Sequence, residues 1–232
     1  MDDDDEFDEE ELDDDEEEEY DPDEELDDDE EEDDREDILD IMGPDSFPPS
    51  DSKWWEDRDF CVEAVHRHGG ALEFVPDEFK TPEMCLEAIR KADEDEKNSI
   101  LELVCYDTWE NPRFCLEAMQ LDPNAVRYVS SKLWQNPNFC LEVIQLCGSN
   151  PELKTVMYDL ECELKEFFWA KFWDDSNFCL EAIKLNNFAL ECVSPDLWDK
   201  PDFCRAAVKQ NRSALKYVPD NLLGKLKARF SK

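Results

Sequence analysis

The chain has 232 residues and a formal net charge of −41, with 65 acidic against 24 basic side chains and two histidines. Such a balance repels nucleic acid, and no run approaches the roughly 18 apolar residues that a membrane span needs. No glycine-rich phosphate loop and no Ser/His/Asp arrangement is present, and two histidines leave little for general-base chemistry.

The charge is unevenly placed. Residues 1–40 hold 31 acidic side chains and a single base, Arg35. A segment of this kind cannot bury enough apolar surface to offset chain entropy, and self-repulsion extends it, so it is expected to be disordered. Gly43-Pro44 and Phe47-Pro48-Pro49-Ser50 then read as a linker, which places an arm and linker at 1–52 and a folded domain at 53–232. Phe7, Leu12, Tyr20 and Leu26 punctuate the acids, and Phe7 and Tyr20 are the candidate apolar contacts to a basic partner. Residues 1–42 contain no glycine for the central turn of an EF-hand loop, so no metal site is expected there. Met1 is followed by aspartates instead of a basic stretch and an apolar run, and ten cysteines suit a reducing compartment. The expected location is therefore the cytoplasm or nucleus.

From residue 53 onward one pattern recurs six times. An apolar-Cys pair anchors each copy: Phe60-Cys61, Met84-Cys85, Phe114-Cys115, Phe139-Cys140, Phe178-Cys179 and Phe203-Cys204. The spacing fits a unit of 24 or 25 residues with insertions in the second and fourth copies. Five residues before each anchor lies an aromatic: Trp55, Phe79, Trp109, Trp134, Trp173 or Trp198. A helix-capping residue follows it (Asp57, Thr81, Asn111, Asn136, Asp175), with Lys200 the exception. Pro82, Pro112, Pro137 and Pro201 then occupy a first helical position. Each anchor thus opens a short helix, on which Phe114, Cys115, Ala118 and Met119 share one face at i, i+1, i+4 and i+5. A second apolar cluster, such as Ala125-Val126-x-Tyr128-Val129, predicts a second short helix per unit. Two such helices, stacked unit on unit, predict an all-α fold: an α-solenoid of about six repeats behind an acidic arm.

The recurring cysteine has no Cys or His partner at zinc-ligand spacing and no base beside it, so it reads as a small buried packing residue. Cys61, Cys115, Trp109, Trp134 and Trp198 are accordingly assigned to the core, each tryptophan filling the joint between one unit and the next. His66 and His68 form Cys-x4-His-x-His with Cys61, but only in the first copy, and they read as helix-end residues. The tryptophan ladder could stack bases, yet its period is that of the core and the net charge opposes nucleic acid.

The last copy, "AAVKQNRSALKYVPDNL" at 206–222, resembles the repeat called domain of unknown function 4116, and residues 60–79 and 178–197 follow the same outline. The resemblance spans roughly 54–223 and implies an all-α repeat without catalytic residues or cofactors. Function must then come from surface and charge. Two readings follow: a non-enzymatic protein-interaction scaffold, or an acidic chaperone or competitor that holds basic, histone-like or nucleic-acid-binding proteins through residues 1–40. Neither binds nucleic acid directly or enters a membrane. From Lys200 to Lys232 the chain turns basic, with nine bases against Asp202 and Asp220. Lys209, Arg212 and Lys216 are the candidate contacts there, for the chain's own arm or an acidic partner.

Overall fold

The computed structural model describes residues 28–43, 46–164 and 170–224. In chain order its helices are α1 (Asp28–Ile41), α2 (Arg58–Arg67), α3 (Pro82–Lys91), α4 (Lys97–Leu103), α5 (Pro112–Leu121), α6 (Pro137–Ser149), α7 (Pro151–Leu164), α8 (Ala170–Trp173), α9 (Ser176–Leu185), α10 (Ala189–Cys192), α11 (Pro195–Trp198) and α12 (Pro201–Gln210), joined by 3-10 turns. Among the described residues the one β-type pairing is an isolated bridge between Gly43 and Ser46.

The six anchor pairs all lie on helices, and five of these helices begin at a capping side chain. Asp57 accepts from the Asp59 N–H at 2.8 Å, and Thr81 from that of Met84 at 3.2 Å. Asn111 accepts from Arg113 and Phe114, Asn136 from Asn138, and Asp175 from Asn177 and Phe178. Lys200 offers no such bond, so α12 starts with Pro201 alone. The apolar side chains four residues apart then point one way and are buried: Phe60, Cys61, Ala64 and Val65 on α2, Phe114, Cys115, Ala118 and Met119 on α5. These faces meet in sequence order. Helix α2 packs on α3, α3 on α5, α5 on α6, α6 on α9, and α9 on α12.

The second cluster is the expected short helix in the second unit, α4 with Ile100 and Leu101 buried, and is shorter in four others. There it is a single 3-10 turn at Gly69–Glu73, Pro123–Arg127 and Arg212–Lys216, and one helical turn at α10. In so short a segment i→i+3 bonding completes a turn in three residues. Asp122 and Asn211 also cap two of these turns with their side chains. Gly69 lets the first turn approach α3: a Cβ there would sit 2.3 Å from the Ala88 carbonyl oxygen.

The tryptophans make ring contacts inside their own units. Trp109 meets Phe114 of its own anchor edge-on, with centroids 5.1 Å apart at 74°, and stacks on Tyr128 of its own second turn at 5.4 Å and 23°. Trp55 does the same with Phe60 and Phe74, and Trp198 with Phe203 and Tyr217. In these three units the tryptophan closes the unit on itself, with its stacking partner nineteen residues on.

A further correction concerns the acidic segment. Residues 28–41, expected to be disordered, form α1, and the described structure starts well before residue 53. Ile38, Leu39 and Met42 supply the apolar contact that the acids lack: Leu39 and Met42 are buried and Ile38 packs beside them. Arg67 holds Asp40 at 2.7 Å, Arg35 lies 3.8 Å from Asp57, and His68 Nε2 lies 3.2 Å from the Met42 carbonyl oxygen. Phe47, in the expected linker, packs on Phe74 at 5.2 Å.

Because Trp109 is 3% exposed and holds two rings of its unit, Trp109→Ala should cost about 3–5 kcal/mol, the range for large aromatic truncations. An unchanged denaturant midpoint would show that the ring stack contributes nothing.

Candidate functional site

Two places in this fold concentrate chemistry: the joint where each aromatic turn meets its anchor helix, and the C-terminal end. At the joint, the N–H of the capping residue bonds the carbonyl just before the aromatic, as Asn111 does with Thr108 and Asn136 with Leu133. That leaves the aromatic's own carbonyl free inside the core, and the cysteine thiol donates to it. The S···O distances are 3.4 Å for Cys61 to Trp55, 3.3 Å for Cys115 to Trp109, 3.4 Å for Cys140 to Trp134, 3.3 Å for Cys179 to Trp173 and 2.9 Å for Cys204 to Trp198. Cys85 makes no such bond among the described residues; there the Phe79 carbonyl accepts from the Thr81 N–H at 2.8 Å. In two units the same carbonyl receives a second donor twenty-one residues on, Ser130 N–H to Trp109 and Ser194 N–H to Trp173. The first and last units have Pro76 and Pro219 at that place, without an N–H to give. A thiol suits this position because it donates weakly yet buries almost as a hydrophobe.

The pKa values follow from that burial. Desolvation pushes the thiols of Cys85, Cys115, Cys140 and Cys179 up to about 12, those of Cys61 and Cys147 to about 11, and that of Cys204 upward as well. Cys61, Cys85, Cys115, Cys140, Cys147, Cys179 and Cys204 are buried free thiols. His66, His68 and Cys61 do not converge: His66 Nδ1 lies 3.0 Å from Glu87, His68 faces Met42, and Cys61 is spent on Trp55. Among the described residues no group of three or more His, Cys, Asp or Glu side chains is placed to hold a metal ion. The core residues Cys61, Cys115, Trp109, Trp134 and Trp198 are buried. Phe7 and Tyr20 lie outside the described residues. Lys209, Arg212 and Lys216 are exposed on the end of α12 and the turn after it, without an ion pair among the described residues.

One buried polar group escapes sequence reasoning altogether. After α9 and α12, Asn186 and Asn211 cap the next turn with Oδ1 and donate Nδ2 to a carbonyl of the preceding anchor helix, Ile144 at 3.2 Å and Ile183 at 3.3 Å. Asp122 holds the same position after α5. Its Oδ1 caps Asn124 at 2.8 Å, but it is 4% exposed and its Oδ2 has no hydrogen-bond partner. The aspartate lacks the amide donor that ties neighbouring helices elsewhere. The signal was the Asn/Asp alternation at one repeat position, whose meaning needs the partner carbonyl.

Residues 57–94 and 175–223 match the family model described as domain of unknown function (DUF4116). No curated protein and no solved structure matches the chain. The first DUF4116 segment holds α2, α3 and the turn between them; the second runs from the Asp175 cap through α12 and its turn. Helices α5 and α6 lie outside both, yet carry the same cap and the same thiol bond. The geometry recurs where the family pattern stops.

Two measurements test the joints. A thiol raised by folding stays neutral where its unfolded counterpart, near 8.5, has ionised, so above that pH the unfolded state binds fewer protons. The stabilisation is complete below about pH 8.5 and is lost as pH climbs toward 11–12, at about 1.4 kcal/mol per pH unit for each thiol. Melting under reductant should fall steeply between pH 9 and 10.5, and Cys115→Ala should flatten the slope by one thiol's share; a flat profile would contradict this. Separately, Asp122→Asn supplies the missing donor and should stabilise the protein by about 1–2 kcal/mol. A lower denaturant midpoint would show that Oδ2 is satisfied by another route.

Proposed function

We propose that the chain is a non-enzymatic interaction protein, an α-solenoid of six units that presents surface to a protein partner. The observation that carries this reading is the sequential packing of six anchor helices, each begun by the same aromatic turn and five of them sharing its thiol bond. Side chains that would be reactive elsewhere are spent on architecture. The anchor thiols are buried and pushed far above neutral pH, a state opposite to that of a nucleophile. Open grooves run between successive anchor helices, over Leu141 and Phe178 between α6 and α9, and over Leu180 and Phe203 between α9 and α12. These are the places for a partner's apolar side chains. No helix among the described residues is long and apolar enough to cross a membrane. Free thiols in every unit suit a reducing compartment, the cytoplasm or nucleus.

A second reading rests on the charge of residues 1–40. There the arm is the active part, and it holds basic, partly folded proteins such as histones. The position of α1 decides how the two are separated. Because α1 packs on α2 through Leu39 and Met42, a deletion through residue 40 would damage the fold, whereas one ending at residue 27 leaves it whole.

Partners captured by the full chain should therefore be compared with those captured by a chain lacking residues 1–27, with a purified core histone as a defined basic probe. The scaffold reading expects its partners to persist after the deletion. If every partner is lost together with salt-sensitive histone binding, the arm is the functional element and the scaffold reading fails.

A further inference from the structure

The positive charges of this protein are not spread evenly over its surface. From α1 to the Trp134 turn, most cations are neutralised locally: Arg35 by Asp57, Arg67 by Asp40 and Glu63, Lys80 by Asp77, Arg90 by Glu87, Lys97 by Glu94, Arg113 by Glu117 and Lys132 by Glu110. The last unit departs from this. Arg205 pairs with Asp202, but Lys200, Lys209, Arg212 and Lys216 are exposed and form no ion pair among the described residues. Lys209 sits in the last turn of α12, where the helix's negative end already favours a cation, and Arg212 and Lys216 follow on the 3-10 turn packed against it. Three cations without local counter-charge, within eight residues of chain, form the basic end of a strongly acidic molecule.

The opposite charge is in the same chain. Residues 1–27 contain 21 carboxylates and no base. They lead into α1, which is docked on α2 at the other end of the row of helices. We propose that residues 1–27 dock on the basic end of their own chain, against Lys209, Arg212 and Lys216, and cover it until a competing anion or a basic partner for the arm displaces them. The contact is a property of the isolated chain and does not rest on the scaffold reading.

Reach permits it. Five helix-to-helix steps at about 8–10 Å each separate α2 from α12 by about 40–50 Å. A 27-residue segment extends to about 90 Å at full stretch. Attachment to the same molecule gives the arm an effective concentration near the millimolar range, which favours its own basic end over that of a second chain in dilute solution. Asp202 and Asp220 on the same unit, and Glu191 on the unit before it, weaken the attraction without cancelling it, since Asp202 is already paired with Arg205. Contacts of this kind are made by exposed charges, so salt screens them.

The test uses the full chain and reads the arm's own amides by NMR. Spectra are taken at about 0.01 M salt, where the Debye length is about 30 Å, and at about 1 M, where it is about 3 Å. The wild type is compared with a full-length variant carrying Lys209→Glu, Arg212→Glu and Lys216→Glu, three exposed positions whose replacement leaves the core untouched. The expected result is a salt-dependent shift of the arm amides in the wild type, independent of protein concentration and lost in the triple variant. Equal salt responses in the two proteins would overturn the proposal. A shift that grows with protein concentration would also overturn it, because the arm would then be meeting a second copy.

Discussion

At the start of each anchor helix the chain passes from a turn into a helix within two residues, and in five of them a thiol-to-carbonyl bond lies buried beneath that surface turn. Helix N–H groups without an intrahelical partner must be satisfied there, together with the carbonyl of the aromatic that fills the joint. Three neighbouring side chains divide the work. The cap takes one or two N–H groups, proline removes another, and the thiol six residues after the aromatic supplies the carbonyl. The aromatic is then free to face the core, where it meets the anchor's Phe edge-on and, in three units, a ring from the second turn. Packing between units follows, because a unit fixed in this way presents a uniform face to the next.

The two ends of the row are finished differently. At one end the chain provides a helix of its own, α1, whose Leu39 and Met42 occupy the apolar face of α2 while His68 reaches the Met42 carbonyl. Asn186 and Asn211 make the equivalent reach toward Ile144 and Ile183 at the last two joints. The middle joints have Ala92, Asp122 and Cys147 at that position and lack a donor of this kind. Among the described residues, ties of this kind from a side-chain nitrogen to the main chain of the neighbouring helix therefore lie toward the two ends of the row.

Much of this was legible in the residues because its causes are local. A capping Asp, Thr or Asn, a proline beside it and apolar positions four apart act within one turn, so Asn111-Pro112-x-Phe114-Cys115 announces its helix by itself. The parts that were not legible depend on distant groups. Nothing in the sequence near Cys115 names the Trp109 carbonyl as its partner, and nothing near Trp109 says that Tyr128, rather than a residue of the next unit, will stack on it. The second element of each unit reads as a helix from its apolar spacing, because i, i+3 and i, i+4 contacts overlap in so short a segment, and only the backbone bonds separate a 3-10 turn from an α-turn. Residues 28–41 were misread because composition weighs ten carboxylates on α1 heavily and three or four apolar side chains at its end lightly, although docking depends on the latter. Asp122 looks like any cap until the amides of Asn186 and Asn211 show what it lacks. At the C-terminal end, exposure of Lys209, Arg212 and Lys216 could be expected from the sequence, but their want of local carboxylate partners could not.

The row of anchor helices passes directly from α6 to α9, although 26 residues intervene. Helix α7 leaves this path at the Asn150 cap, which accepts from Glu152 and Leu153, and lies along α6 and the Pro123–Arg127 turn with Leu153 and Met157 buried. The chain then rejoins the row at α8. The chain leaves at the end of α6 and comes back beside its start, where Phe172 lies near Pro137, so the excursion is a side branch around a contact that α6 and α9 make directly. A lineage could lengthen, shorten or replace that branch without re-engineering a single joint, while one residue gained or lost between Trp134 and Cys140 would pull a carbonyl away from its thiol.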